Sequence, residues 1–388
     1  MSEVRKIRVL YLPHRDGLNG GANKALIDLI NSVSRWIIPM VVVTANTPEH
    51  YMFNHIGVQC IVLPRPLSVP QHVWSRRQTR CETFIKWFPR IVFQYLTTQY
   101  LLHRLSTHFQ RGEIDIVHTN TAVISIGDRV AKKIKAKHVW HLREFLNLDH
   151  QLEPMWGWKR MRHKVAQADA TISITHSVQR HYLTEIRQND YCFKDATIKS
   201  ASIEPIRTDK RERAFFFIGT LVRSKGIEVA IQAFSKFYQT HPGYILYIAG
   251  HSNDVRYLRK LEFLIIELGL KRVIKFLGQI DNPEDYYKRT IALLMCSEHE
   301  ALGRTTIEAM NNGCVVIGHN TGGTSELIQH TVTGFLYDTE VELLRYMEYV
   351  AVYDCSLMQN VAFQYVQQNF TLEAYGPKIR DVYKAILA

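Results

Sequence analysis

The stretch "IALLMCSEHEALGRTTIEAMNNG" runs from Ile291 to Gly313 and divides into three parts. Its first seven residues are mainly apolar and predict a strand. The next six, "EHEALG", predict a glycine-containing turn, and "RTTIEAMN" has the periodicity of a helix that Gly313 caps. Its three carboxylates include Glu300 in the turn and Glu308 in the helix. Strand, turn and helix in this order form the repeating unit of parallel α/β sheets.

The same unit recurs along the rest of the chain. Apolar strands alternate with helical segments, which predicts doubly wound parallel sheets. A chain of 388 residues exceeds the size of a single core, and two series of strands indicate two domains. The predicted strands are 7–12, 37–45, 59–64, 114–120, 137–142 and 170–175 in the first series, and 213–221, 244–250, 272–278, 291–297 and 314–320 in the second.

The domain boundaries follow from the same pattern. Residues 191–211 lack a long periodic segment and predict a linker. We therefore expect one α/β domain in 1–195, a second in 205–370, and a final amphipathic helix in 371–388 with Thr371 as its N-cap. Ligands of such sheets bind beside the carboxyl ends of the strands, so we expect two domains that face a central cleft.

The composition argues against several classes of protein. The six cysteines are scattered without metal-ligand spacing, which argues against a zinc site and indicates reduced thiols. The basic N-terminus lacks the apolar run of a signal peptide, and no stretch of about 18 apolar residues marks a membrane span. The sequence therefore predicts a cytoplasmic protein.

The net charge of +12 is concentrated in the first half of the chain. Residues 1–200 hold 28 Lys and Arg against 15 Asp and Glu, whereas residues 201–388 hold 20 against 21. Residues 74–111 mix cations with aromatic and aliphatic side chains, a pattern that suits an anionic surface at the inner face of a membrane. Core residues beside ordinary solvated cations explain the pattern equally well. Nucleic acid is not expected as a partner, because no recognised motif accompanies the charge.

Two loops that follow strands contain residues suited to phosphate. After the first strand, Gly20 and Gly21 permit a close backbone approach at a helix start. After the strand 213–221, Arg223 and Lys225 lie at a helix N-terminus, where their charges oppose the helix dipole unless an anion lies between them. An ordinary glycine turn and a pair of solvated cations are the alternatives.

The third such loop is the turn of the opening stretch. If a diphosphate binds to the amides of this turn, the nearby carboxylates are expected to accept hydrogen bonds from hydroxyl groups rather than to contact the phosphate. The 2′,3′-diol of a ribose is such a target for Glu308. The alternative is that Glu308 is an ordinary helix acid and that Glu300 is solvated. The amides concerned are those of Leu302, Gly303, Arg304 and Thr305.

Glu300 and Glu308 are spaced as in the E-x7-E motif of the family 4 retaining glycosyltransferases, and the surrounding sequence resembles that family. The resemblance extends over "GTLVRSKGIEVAIQAF", "TGFLYD" and the N-terminal "NGGANKAL", "DIVHTN" and "HVWHLRE". It covers most of the chain and is weakest in 50–112 and in the linker. It implies the GT-B fold, with two Rossmann-like domains, and a role like that of enzymes that build bacterial surface polysaccharides.

The resemblance also implies roles for individual residues. Glu308 would hold the nucleotide ribose, Glu300 would contact the donor sugar, and Lys225 would bind the phosphates. His141 matches the active-site histidine of the family. The family has an arginine where this chain has Thr220, so Arg223 is the expected substitute.

The implied reaction is a retaining transfer of a sugar from a nucleotide diphosphate sugar, with UDP favoured, to a glycan or a lipid-linked glycan. The N-terminal domain would bind the acceptor, and the C-terminal domain the donor. No D-x-D sequence is present, so we expect neither a metal nor another cofactor. Two alternatives remain open: a nucleotide-sugar 2-epimerase of the same fold, and a non-catalytic subunit that binds nucleotide sugars.

Overall fold

The chain is described here from a computed structural model, which covers residues 5–13, 21–64, 71–73, 80–124, 126–149, 152–154, 157–199 and 211–388. For residues 71–73, 80–91 and 94 the description is limited to the backbone. The chain forms two compact units. Unit 1 comprises Met1–Ala196 and Leu372–Ala388, and unit 2 comprises Thr197–Thr371.

The core of unit 1 is a parallel sheet of seven strands, in the order β3-β2-β1-β5-β6-β8-β9. These strands are β1 (Ile7–Leu12), β2 (Ile37–Thr44), β3 (Gln59–Leu63), β5 (Ile116–Thr119), β6 (Lys137–Leu142), β8 (Ala170–Ser173) and β9 (Asp190–Cys192). Two further strands, β4 (Gln71–Val73) and β7 (Leu152–Pro154), pair antiparallel outside this sheet.

Helices cover both faces of this sheet. Leu26 and Leu29 of α1 pack with Ile379 and Val382 of α14 on one face, and Leu102 of α3 packs in the cluster on the other. The C-terminal helix is therefore part of the core of unit 1. The helices of unit 1 are α1 (Gly21–Val33), α2 (Pro48–His55), α3 (Arg80–His108), α4 (Gly127–Ile134), α5 (Trp158–Ala166), α6 (His176–Tyr182) and α14 (Leu372–Leu387).

Unit 2 contains a parallel sheet of six strands, in the order β12-β11-β10-β13-β14-β15. The strands are β10 (Glu212–Ile218), β11 (Ile245–Ala249), β12 (Ile274–Gly278), β13 (Thr290–Met295), β14 (Val315–His319) and β15 (Phe335–Tyr337). The chain order reverses between the neighbours β10 and β13. In open α/β sheets the crevice at such a switch point, outside the carboxyl ends of the strands, is the usual ligand site.

The helices of unit 2 follow its strands in turn. The loop after β10 includes a short 3₁₀ turn, Arg223–Lys225, before the first of them. They are α7 (Ile227–Thr240), α8 (Val255–Glu267), α9 (Glu284–Arg289), α10 (Arg304–Asn311), α11 (Gly322–Leu327), α12 (Glu340–Val352) and α13 (Ser356–Asn369).

The structure confirms the predicted fold class, and all eleven predicted strands are present within three residues of their expected ends. The predicted linker begins too early, because Tyr191 belongs to β9 and pairs with Ile172. This strand has three residues, too few for an alternating pattern to show. The linker residues 200–210 lie outside the described residues. Among the helices of the described residues, none is long and apolar enough to cross a membrane.

Candidate active site

Lys225 lies at the switch point of unit 2 because the loop after β10 packs against the end of β13. Gly226, which follows it, has a left-handed backbone with φ of +70°, and a Cβ atom there would lie 2.0 Å from the carbonyl oxygen of Cys296. The amide of Glu298 donates a hydrogen bond of 3.1 Å to the carbonyl oxygen of Ser224. Only glycine allows this close approach of two backbones. The loops after two neighbouring strands are thereby fixed to each other.

Lys225 and Glu300 form an ion pair at this point, with 2.6 Å between Nζ and Oε2. The side chains are 28% and 17% exposed, so both are partly withdrawn from water and still reachable by a ligand. An ammonium group has three hydrogen-bond donors, of which this contact uses one. The pair therefore places a cation at the switch point with capacity for an anion.

The backbone of Glu300 is held by the glycine pair that starts α11. The amide of Gly323 donates a hydrogen bond of 2.6 Å to the carbonyl oxygen of Glu300. A Cβ atom on Gly322, whose φ is +51°, would lie 2.4 Å from the same oxygen. These two glycines are not among the predicted site residues, although "TGGT" follows a strand just as "NGGA" does.

The predicted phosphate-binding turn leads directly into α10. Gly303 has φ of +90° and precedes the helix, whose first turn contains no acidic side chain. The Oγ1 atom of Thr306 is buried and has no hydrogen-bond partner within the part of the chain that the structure describes. A Cβ atom on Gly303 would lie 3.4 Å from this oxygen, which places the hydroxyl beside the helix start. Helix amides, dipole and hydroxyl together suit an anion.

Leu302, Arg304 and Thr305 occupy the rest of this turn and helix start. Leu302 is buried, whereas Arg304 and Thr305 are half-buried. Thr305 is among the residues predicted from the sequence but Thr306 is not, since burial of a hydroxyl cannot be read from its position in a turn. The contacts of the four predicted amides with a phosphate stay a prediction.

Glu308 lies in the second turn of α10 and is half-buried. Its Oε2 accepts a hydrogen bond of 3.3 Å from the hydroxyl of Tyr287, a side chain that is fully buried. Burial raises the pKa of Tyr287 well above its usual range, and the negative charge of Glu308 adds to the effect. Tyr287 therefore keeps its proton and acts as a donor. No motif in the sequence indicates Tyr287.

Arg223 lies in the loop after β10, as Lys225 does, and is exposed. Its guanidinium carbon is 5.7 Å from the centre of the Tyr257 ring, within the range of a cation–π contact. Thr220, at the position of the missing arginine, is exposed. The substitution of Arg223 for that arginine stays a prediction.

His141 lies on β6 in unit 1 and has no exposed surface. Its Nδ1 is 3.3 Å from Nε2 of His118 and 3.2 Å from a guanidinium nitrogen of Arg143. Arg143 in turn bonds to the carboxylate of Asp195, and the hydroxyl of Tyr383 lies 2.8 Å from Nδ1 of His118. Burial lowers the pKa of His141, and the charge of Arg143 lowers it further.

The burial of His141 affects the role that the family resemblance implies for it, that of an active-site histidine. In the structure the ring joins a buried polar network that links the sheet of unit 1 to α14. A group that touches a sugar needs accessible surface, and His141 has none here. The role of His141 as the active-site histidine stays a prediction.

The glycine pair after β1 is described only in part. Gly20 lies outside the described residues. Gly21 is the first residue of α1, and a Cβ atom there would meet no atom within 4 Å. The space above Gly21 is therefore open, but its φ is not in the left-handed region that would demand glycine. Across the described ranges, no cluster of three or more His, Cys, Asp or Glu side chains has the geometry of a metal site.

Comparison with known proteins identifies the kind of domain that carries this site. Residues 199–350 match the family described as Glycosyl transferases group 1. An uncharacterized glycosyltransferase of Methanocaldococcus jannaschii is 35% identical over 125 residues, which are 32% of this chain and 31% of that protein. The N-acetyl-alpha-D-glucosaminyl L-malate synthase of Bacillus anthracis is 25% identical over 281 residues, 65% of this chain and 71% of that protein.

A solved structure agrees over nearly the whole chain. The Anabaena protein HepE, in complex with UDP and glucose, superimposes with a TM-score of 0.74 at 19% identity, over 98% of this chain and 100% of that one. At this identity the likeness shows the fold. The first of the two sequence relatives is matched over less than a third of its length. The resemblance seen in the sequence is confirmed: the chain carries a glycosyl transferases group 1 domain in residues 199–350 and has the GT-B fold.

Proposed function

We propose that the protein is a retaining glycosyltransferase that moves a sugar from a nucleotide diphosphate sugar to a glycan or lipid-linked glycan. The observation that carries the proposal is the Lys225–Glu300 pair at the switch point of unit 2, with Glu300 in the turn that leads into α10, the helix of Glu308. A UDP-sugar is the favoured donor. Solved structures of HepE contain UDP or UDP-glucose, and its fold is the same.

The residues of unit 2 suit departure of a diphosphate. As the bond between the sugar and the phosphate oxygen breaks, negative charge grows on the diphosphate, and Lys225 and the start of α10 stabilise it. The acceptor hydroxyl attacks the anomeric carbon from the face that the nucleotide leaves, and the departing phosphate oxygen takes the acceptor proton. The sugar thereby keeps its anomeric configuration. No metal is required in this scheme, since Lys225 and the amides supply the positive charge.

The configuration of the product tests this mechanism. We expect an α-linked product from an α-linked UDP-sugar and a lipid-linked glycan, at a rate that EDTA leaves unchanged. Proton NMR of the anomeric signal gives the configuration, and an inverted anomer would refute the retaining mechanism. Conversion of the sugar nucleotide without an acceptor would instead favour the epimerase. Nucleotide-sugar binding without any reaction would favour a non-catalytic subunit.

Glu308→Ala tests the ribose assignment. A charge-assisted hydrogen bond contributes on the order of 1.5 to 3 kcal/mol, so loss of the carboxylate should weaken nucleotide binding about 10-fold or more. Titration calorimetry with UDP measures this change, and thermal unfolding shows whether the variant is folded. An unchanged affinity in a folded variant would remove Glu308 from the nucleotide site.

We also propose that α3 contacts an anionic membrane surface. Apolar side chains near its middle are exposed, including Phe93 at 54% and Leu96 at 60%, whereas Leu101 and Leu105 further along pack in the core. The core explanation of the sequence pattern therefore accounts for Leu101 and Leu105, and the membrane explanation is proposed for the exposed part of the helix. Residues 74–79 and the side chains of Arg80, Lys86 and Arg90 lie outside what the structure describes.

Vesicle sedimentation tests the membrane proposal. The double substitution Phe93→Glu and Leu96→Glu should reduce binding to vesicles of phosphatidylcholine and phosphatidylglycerol about 10-fold or more, since it removes apolar area and adds like charge. Val341→Glu is the matched control, because Val341 is 77% exposed on unit 2. Equal binding by all three proteins, or none by the wild type, would refute the proposal.

A further inference from the structure

Tyr287 is a buried side chain whose polar atom is directed at the proposed nucleotide site. It lies on α9 and has no exposed surface, and its ring packs edge-on against Phe216 with 5.5 Å between ring centres. Its hydroxyl donates to Oε2 of Glu308 over 3.3 Å. A buried phenol needs a hydrogen-bond partner, so this contact fixes the phenol and the carboxylate relative to each other.

A half-buried arginine fixes the backbone on both sides of this contact. The Nη1 atom of Arg211 donates to the carbonyl oxygens of Tyr287 and Thr290, over 2.7 and 2.8 Å, and its Nη2 donates to that of Asn312 over 3.2 Å. Asn312 is the C-cap of α10, and its side-chain amide donates to the carbonyl oxygen of Glu308 over 2.9 Å. The phenol of Tyr287 belongs to α9 and the carboxylate of Glu308 to α10. The guanidinium of Arg211 therefore joins the C-terminal ends of the two helices that carry these groups.

We infer that Tyr287 is a positioning residue, which holds the carboxylate of Glu308 in the orientation that binds the ribose diol. The inference rests on the proposed function. A carboxylate has about four lone-pair sites, and the bond from Tyr287 uses one of them. Loss of the phenol removes this restraint, so the side chain of Glu308 loses more rotamer freedom when the nucleotide binds, which weakens binding about 3- to 10-fold.

Titration calorimetry with ribonucleotides and their 2′-deoxy forms tests the inference. The probe is whichever of UDP, GDP and ADP the wild type binds most tightly, together with its 2′-deoxy analogue and inorganic pyrophosphate. Tyr287→Phe should raise the dissociation constant of the ribonucleotide about 3- to 10-fold and reduce discrimination against the deoxy form. Binding of pyrophosphate, which has no ribose, should not change.

Two further variants separate the positioning role from a structural one. Tyr286→Phe removes one hydroxyl from the neighbouring residue of α9, whose ring also contacts Phe216, by stacking. This control should leave all three affinities unchanged. The double variant Tyr287→Phe with Glu308→Ala should bind no more weakly than Glu308→Ala alone, because both substitutions remove one interaction.

The measurements distinguish failure of the inference about Tyr287 from failure of the ribose assignment of Glu308. Equal losses of ribonucleotide and pyrophosphate binding in Tyr287→Phe would show general damage to the site and overturn the inference. An unchanged ribonucleotide affinity in Tyr287→Phe, beside a loss in Glu308→Ala, would overturn the inference and leave the proposed function intact. Unchanged affinity in both variants would refute the ribose assignment of Glu308 itself.

Discussion

Lys225→Ala is expected to lower the rate of sugar transfer at saturating donor about 100- to 1,000-fold, the usual effect of removing a group that stabilises charge in a transition state. The reason is the position of its ammonium group, 2.6 Å from Glu300 at the switch point of unit 2. Charge on the leaving diphosphate is larger in the transition state than in the bound donor. Ground-state affinity for the nucleotide should therefore fall much less than the rate.

Lys236→Ala is the matched control for this substitution. Its ammonium group also pairs with a glutamate, Glu340, over 3.0 Å, but both side chains are about half exposed and lie on α7 and α12. Single-turnover kinetics with a UDP-sugar and a lipid-linked glycan should give a wild-type rate for this control. A Lys225→Ala variant that retained more than a tenth of the wild-type rate would contradict the role of Lys225.

Gly226→Ala should lower the free energy of unfolding by about 3 kcal/mol or more, from the left-handed backbone and from overpacking. The residue has φ of +70°, and the added Cβ atom would lie 2.0 Å from the carbonyl oxygen of Cys296. The backbone must shift, since neither partner is a flexible side chain. The shift should move Lys225 away from Glu300 and reduce transfer as well as stability. Urea unfolding measures the first effect and a transfer assay the second.

Gly243→Ala separates the two causes. Gly243 also lies in unit 2 with a left-handed φ of +90°, but no atom lies within 4 Å of the position of a Cβ atom there. Its substitution should cost roughly 1 kcal/mol of stability, the backbone part alone, and leave transfer unchanged. If Gly226→Ala were no more destabilising than Gly243→Ala, the close packing of the two loops would not be a determinant of the site.

The sequence predicts the strands of both sheets well because they are long enough for their composition to show. Val41 and Val42 in β2, and Phe215 and Phe216 in β10, belong to uninterrupted apolar runs that parallel sheets require on both faces. The strands β9 and β15 were not predicted, since three residues carry no period. Their place at the sheet edges follows from pairing with β8 and β14, which a local pattern does not contain.

Some residues of the candidate site could be predicted from the sequence, and others could not. Glu300, Glu308 and Lys225 could be selected because they lie in loops that follow predicted strands, or in the helix after such a loop, and these segments have an unusual composition. The contact between Tyr287 and Glu308 joins two helices, and it depends on the packing of α9 against α10. A local sequence motif does not predict a contact between side chains of two helices.

His141 illustrates the limit most clearly. A histidine at a strand end is suited to catalysis when exposed and to structure when buried. Its enclosure depends on Arg143, which is two residues away, and on Tyr383 of α14, which is 265 residues from His118 in the chain. Only the folded unit shows that these groups meet.

The central claim is that unit 2 holds a nucleoside diphosphate with Lys225, the start of α10 and Glu308. Titration calorimetry of the wild type with UDP, GDP, ADP and dTDP, each with and without EDTA, tests it most directly. We expect one nucleotide, UDP in the first instance, to bind tightly with an affinity that EDTA does not change and that Glu308→Ala reduces. Absence of binding by all four nucleotides, or binding that EDTA abolishes, would contradict the claim.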